Sequence, residues 1–128
     1  MRPLRLSIVQ TDIVWEDKQA NLRNLKDKLE KLSGTTDLVV LPEMFSTGFS
    51  MQSHVFAESV SGNTITALRK QAAHYQLALA GSFIATENGA CYNRGFFLTP
   101  QGEPFFITNA TFSVRAGRVT IFQVVIGK

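Results

Sequence analysis

Leu38-Val39-Val40-Leu41 running into Pro42-Glu43-Met44-Phe45 constrains this chain more than any other stretch. Four successive apolar residues closed by a proline read as a fully buried strand, and the proline turns the backbone at its carboxyl end. In open α/β sheets that end is where ligands and catalytic groups gather. The run therefore delivers one carboxylate, Glu43, to the functional edge of a sheet. Flanked by Met44 and Phe45, a carboxylate there is suited to accept a proton as a general base. The plain alternative is a loop glutamate facing water, and residue chemistry alone leaves both open.

The surrounding pattern supplies a parallel α/β frame. Leu4, Leu6, Ile8 and Gln10 begin a strand. Asp17 is placed to cap a helix through about Leu32, because Leu22, Leu25, Leu29 and Leu32 recur on one face. Its other face carries Arg23, Lys26, Asp27, Lys28, Glu30 and Lys31, and Ser33-Gly34 ends it. Strand, helix and buried strand make a βαβ unit, so the first two strands are expected to be parallel.

Residues 45–60 read as a long irregular loop over the sheet edge. Asn63 or Thr64 opens a second helix with Ile65, Leu68, Ala72 and Tyr75 on its buried face. Residues 77–85 and 91–99 form a hairpin about Glu87-Asn88-Gly89. Gly81 and Ser82 allow a neighbouring backbone or ligand close approach. Thr99-Pro100-Gln101-Gly102 is a further turn, leading to a strand around 104–106.

Composition narrows the function classes. The chain has 128 residues, 45% of them hydrophobic and 18% charged, which is the usage of one globular domain. A single cysteine, Cys91, excludes an internal disulfide framework and fits a reducing compartment. No apolar stretch approaches the roughly 20 residues of a membrane span, and the N-terminus lacks a signal-peptide core. A cytoplasmic protein without membrane contact is expected. Net charge is +3, but residues 1–106 carry ten basic and ten acidic side chains. The surplus lies wholly in Arg115, Arg118 and Lys128, so there is no basic patch for nucleic acid.

Other candidate chemistry is sparse. Cys91 follows a hairpin turn with no His or Lys near it in sequence and reads as an inert thiol. His54 and His74 have no metal-ligand spacing with each other or with Cys91, so no metal and no cofactor is expected. Gly-rich phosphate loops and a G-x-S-x-G nucleophile element are absent from the sequence.

The chain nevertheless resembles the N-terminal half of the nitrilase superfamily, the carbon–nitrogen hydrolases, and within it the ω-amidase-like branch. The resemblance rests on S-I-V-Q-T-D-I-V-W-E-D at residues 7–17 and D-L-V-V-L-P-E-M-F-S-T-G-F at 37–49. A-G-S-F at 80–83 and Y-N-R-G-F-F-L-T-P-Q-G at 92–102 follow in order. It implies the N-terminal part of an α-β-β-α sandwich, incomplete in residues 1–106, and a Glu-Lys-Cys hydrolase of amides or nitriles. By position Glu43 matches the general base, and Phe45 and Phe49 would lie near the substrate pocket. The implied partner is a small-molecule amide, an ω-amide of a short dicarboxylate, and homo-oligomers are common in the family.

The family's lysine and cysteine find no match. The lysine belongs to a Y-x-K-x-H-L-F segment, where Asn109 stands here, and Cys91 lies in the wrong element for the nucleophile. An amidase by ancestry but inactive as this chain is therefore expected, with a non-catalytic binding domain as the alternative. Residues 107–128 read as a tail outside the family. Codons for F-F-I-T-N-A-T-F-S, read two nucleotides on, can spell F-Y-H-K-R-H-L-F, the missing lysine motif. The tail's acid-free composition fits the same idea, that a single-base loss put it out of frame. The uncharged apolar run from Val119 to Ile126 is also an aggregation hazard if exposed.

Overall fold

The computed structural model describes residues 3–111, with side chains through Ile107. Its elements are β1 (Leu6–Ile8), α1 (Lys18–Leu32), β2 (Leu38–Val40), α2 (Ser53–Phe56), α3 (Asn63–Tyr75), β3 (Ala78–Glu87), β4 (Ala90–Leu98) and β5 (Pro104–Thr111). The strands form one sheet in chain order. β1, β2 and β3 are parallel, whereas β3–β4 and β4–β5 are antiparallel. This is the mixed α/β architecture expected, with α1 and α3 on one side of the sheet.

Local chemistry explains the helix ends. Asp17 accepts a hydrogen bond from the Ala20 N–H at 3.0 Å, and the Ser33 N–H closes α1 on the Leu29 carbonyl at 2.9 Å. Leu25 and Leu29 of α1 and Ile65, Leu68 and Ala72 of α3 lie in the same core as Val39, Leu79, Phe83, Phe96 and Leu98 of the sheet. The hairpin turn uses Asn88 and Gly89 at φ +52° and +78°, the left-handed pair that a two-residue connection needs.

Three details differ from the sequence reading. β2 is not buried on both faces: Val39 is buried, but Leu38 and Val40 are half-buried. The helices cover only the side to which Val39 points. The segment 45–60 is not uniformly irregular, since α2 forms within it. β5 runs on to Thr111 rather than stopping near residue 106, because Gly95, Arg94 and Tyr92 of β4 continue to offer it partners. Of the tail read as 107–128, the first five residues belong to β5, and 112–128 lie outside the described residues.

Candidate active site at the end of β2

Glu43 sits just beyond the carboxyl end of β2. The Leu41 N–H reaches the Ala80 carbonyl at 2.8 Å, extending the β2–β3 pairing by one step before Pro42 ends it. Met44 then takes φ +53°, a left-handed conformation unusual for a side chain of this size, and is fully buried. Its N–H is held by the Ser82 Oγ at 3.0 Å, and its carbonyl accepts from the Gly48 N–H at 2.8 Å. A turn strained in this way persists only where its surroundings over-determine it. Ser82 does so through its bond to the Met44 N–H, and the neighbouring Gly81 lets Leu41 and Phe96 approach closely. A Cβ on Gly81 would stand 2.9 Å from Phe96 Cζ and 3.2 Å from Leu41 Cβ.

The half-buried Glu43 carboxylate is held from across the sheet. Asn93 Nδ2 of β4 donates to Glu43 Oε1 at 2.5 Å. Asn93 Oδ1 is buried and has no hydrogen-bond partner among the described residues. The sequence reading missed Asn93 as a site residue, although it stands inside the Y-N-R-G-F-F segment already singled out. Its signal was a polar amide next to Arg94 in a strand whose far end, Phe96-Phe97-Leu98, is apolar.

The two phenylalanines separate. Phe45 is buried in the core, edge-on to Phe96 with ring centroids 6.3 Å apart. Phe49 is half exposed on the loop. Cys91 also differs from its reading: His54 of α2 brings Nδ1 to 3.7 Å from its Sγ. The pair is 37 residues apart in sequence, so spacing along the chain could not have shown it.

Two polar anchors fix the loop that carries Glu43. Buried Asn21 donates to the Ser46 carbonyl at 2.7 Å and exchanges two 2.8 Å bonds with the Val14 backbone. At the far end, Lys18 Nζ donates to the Phe56 carbonyl at 2.5 Å and to Glu58 Oε2 at 2.8 Å. Thr64 gives Glu58 further bonds through its N–H and Oγ1. Burial by itself would raise the Glu58 pKa. The bonds from Lys18 and Thr64, with the Lys18 charge, outweigh it and lower the carboxyl below its ordinary 4.5. Glu58 also bridges to Ala85, docking the segment along β3 beyond the end of β2.

A carboxylate presented at the tip of a parallel strand, on a braced turn over a helix-backed sheet, is an arrangement suited to general-base chemistry. The carbon–nitrogen hydrolase family model matches residues 5–119, and the chain belongs to that family, as the N-terminal part of the nitrilase fold. It is 36% identical over 109 residues to omega-amidase YafV of Escherichia coli K12, covering 83% of this chain and 41% of that protein. It is 28% identical over 101 residues to an (R)-stereoselective amidase of a Pseudomonas species, covering 77% and 37%. Among solved structures it superposes on XC1258 of Xanthomonas campestris with a TM-score of 0.79 and 36% identity, covering 84% and 41%. That protein is a CN-hydrolase superfamily member with an arsenic adduct in its active site. The chain thus spans about two fifths of the length of these curated relatives. Among the described residues no helix is long and apolar enough to cross a membrane.

Proposed function

We propose that Glu43 is the proton acceptor of an amidase that acts on ω-amides of short dicarboxylates, and that this chain alone does not turn such amides over. The single observation behind the assignment is the Asn93–Glu43 hydrogen bond at the β2 edge, which orients a carboxylate on a braced turn. In the chemistry implied by the family, that carboxylate takes the proton of a cysteine thiol as sulfur attacks the amide carbonyl. The carboxyl gives that proton to the departing nitrogen as ammonia leaves, and, ionised again, draws a proton from the water that cleaves the thioester and returns it to the released sulfur. Phe49, exposed on the loop, is positioned to meet substrate, and Phe45 supports the turn from inside the core.

The proposed inactivity is supported by the family's lysine motif having no match in these 128 residues, where Asn109 stands in its place. Members of a catalytic unit act together, so a chain without its lysine keeps little rate enhancement. The test has two arms. Purified chain incubated with succinamate or glutaramate is expected to release no ammonia above background. A chimera joining residues 1–106 to the remainder of the E. coli omega-amidase is expected to hydrolyse them, and Glu43→Gln in it to cut kcat by at least about 10³-fold. Turnover by the chain alone, or a chimera indifferent to Glu43→Gln, overturns the reading.

A further inference from the structure

The register of β4 places a second polar pair beside the Glu43 site. Asn93, which holds Glu43, and Cys91 are alternate residues of one strand. Their side chains therefore leave the same face of the sheet, roughly 6.6 Å apart along it. Asn93 pairs with Ile84 of β3 and Cys91 with Thr86, so the step between them runs outward past the end of β2. The segment after the Glu43 loop returns to the same place. Glu58 docks along β3, its N–H on the Ile84 carbonyl and its carbonyl accepting from the Thr86 N–H. That contact brings α2, just before it in the chain, against the hairpin, where His54 Nδ1 stands 3.7 Å from Cys91 Sγ. A thiol that donates to Nδ1 leaves the proton of the ring on Nε2, at the edge turned away from Cys91.

We propose that His54 is a specificity-determining residue, whose Nε2–H binds the far carboxylate of the substrate while Glu43 works at the amide end. This rests on the reading of Glu43 as proton acceptor for ω-amides of short dicarboxylates, and adds the group that reads the second acid. Length fits. The terminal carbons of a four- or five-carbon chain lie about 4–5 Å apart at ~1.5 Å per bond. A charge-assisted hydrogen bond of about 2.8 Å extends that reach to ~7–8 Å, enough to cover the strand step from Asn93 to Cys91. Charge points the same way. Lys18 is bound to Glu58 and the Phe56 carbonyl, and Arg94 leaves the opposite face of β4, where it meets Glu87. The other basic side chains among the described residues belong to Arg5, at the far end of the sheet, and to α1 and α3, on its other side. A second carboxylate seated beside Glu43 thus meets the His54 ring. A neutral amide would leave that N–H unpaired, which is how a hydrogen-bonding site rejects a substrate lacking the matching group.

The chain has two histidines, so a titration carries its own control. The full chain is titrated at fixed pH with glutaramate and, in parallel, with butyramide, which lacks the acid, while the ring signals of His54 and His74 are followed by NMR. His54→Gln assigns them. The His54 signals should shift saturably with glutaramate and stay in place with butyramide. His74, edge-on to Tyr75 on α3, should move with neither. In the chimera with the remainder of the E. coli omega-amidase, His54→Ala should raise KM for glutaramate at least tenfold and change kcat less than threefold. Cys91→Val, which frees the ring, should raise KM by a smaller factor. Glu43→Gln acts on kcat instead, so the two readings fail separately. A His54 ring unmoved by tens of millimolar glutaramate, or moved as much by butyramide, overturns the proposal. So does an active chimera whose KM for glutaramate is the same in His54→Ala. An inactive chimera counts against the reading of Glu43, and the titration then decides for His54.

Discussion

Asn93 of β4 donates a 2.5 Å hydrogen bond to the carboxylate of Glu43, joining the middle of one strand to the turn that ends another. The bond crosses β3, the strand between them in the sheet. It is the contact that converts a loop glutamate into an oriented group.

The pair is asymmetric, and stability measurements should show it. Glu43→Ala leaves Asn93 with both polar groups unpaired on a side chain whose Oδ1 is already buried without a partner among the described residues. That variant should lose about 1–3 kcal/mol. Asn93→Leu removes the orphaned acceptor together with the donor and should lose less, under ~1 kcal/mol. Urea midpoints at constant m-value measure both. Equal losses would show that the two groups contribute symmetrically.

Asn21 should be among the costliest single polar sites. Asn21→Leu strands the Val14 N–H, the Val14 carbonyl and the Ser46 carbonyl near the base of the Glu43 loop. We expect a loss of about 2–4 kcal/mol and a matching fall in Tm, read by thermal circular dichroism.

Gly81 has no room for a methyl group. Gly81→Ala places a carbon 2.9 Å from the Phe96 ring, itself set between Phe45 and Phe83, and 3.2 Å from Leu41 Cβ, which is tied to the backbone. Overpacking of this kind should destabilise by about 1–3 kcal/mol. An unchanged Tm would mean that the β2 and β3 ends can separate freely.

Glu58 predicts a pH dependence. Its folded pKa is lowered, so the unfolded chain binds the proton more readily, and the contribution is fully present above the ordinary 4.5. It is lost as pH falls through the lower, folded value. Stability measured by urea between pH 6 and pH 3 should decline, and Glu58→Gln should flatten part of that decline. A variant with the parent's slope would remove Glu58 from the account.

The tail offers a test at the level of the gene. Reading the codons for residues 105–113 two nucleotides on should return the F-Y-H-K-R-H-L-F motif. Any other sequence in that frame ends the frame-shift proposal for residues 107–128.

Much of this molecule follows from short-range pattern. The leucine spacing and Asp17 cap set α1 to the residue, and Asn88-Gly89 set the hairpin. Ile65, Leu68 and Ala72 marked the buried face of α3, and L-P-E-M-F placed Glu43 at a strand end. Each of these depends on neighbours a few residues away, whose steric and hydrogen-bonding preferences act in any context. α2 was missed because one helical turn carries too little periodicity to register.

Glu43 with Asn93, Cys91 with His54 and Lys18 with Glu58 are pairings of another kind, separated by 50, 37 and 40 residues. Spacing along the chain does not encode them; strand order and register do, and those are decided by which side chains pack together. The same holds for the two sides of β2. Its four apolar letters predict burial, but only the sheet shows that α1 and α3 shelter Val39 while Val40 faces away from them. A residue's hydrophobicity is local, whereas what covers it is a property of the assembled layers.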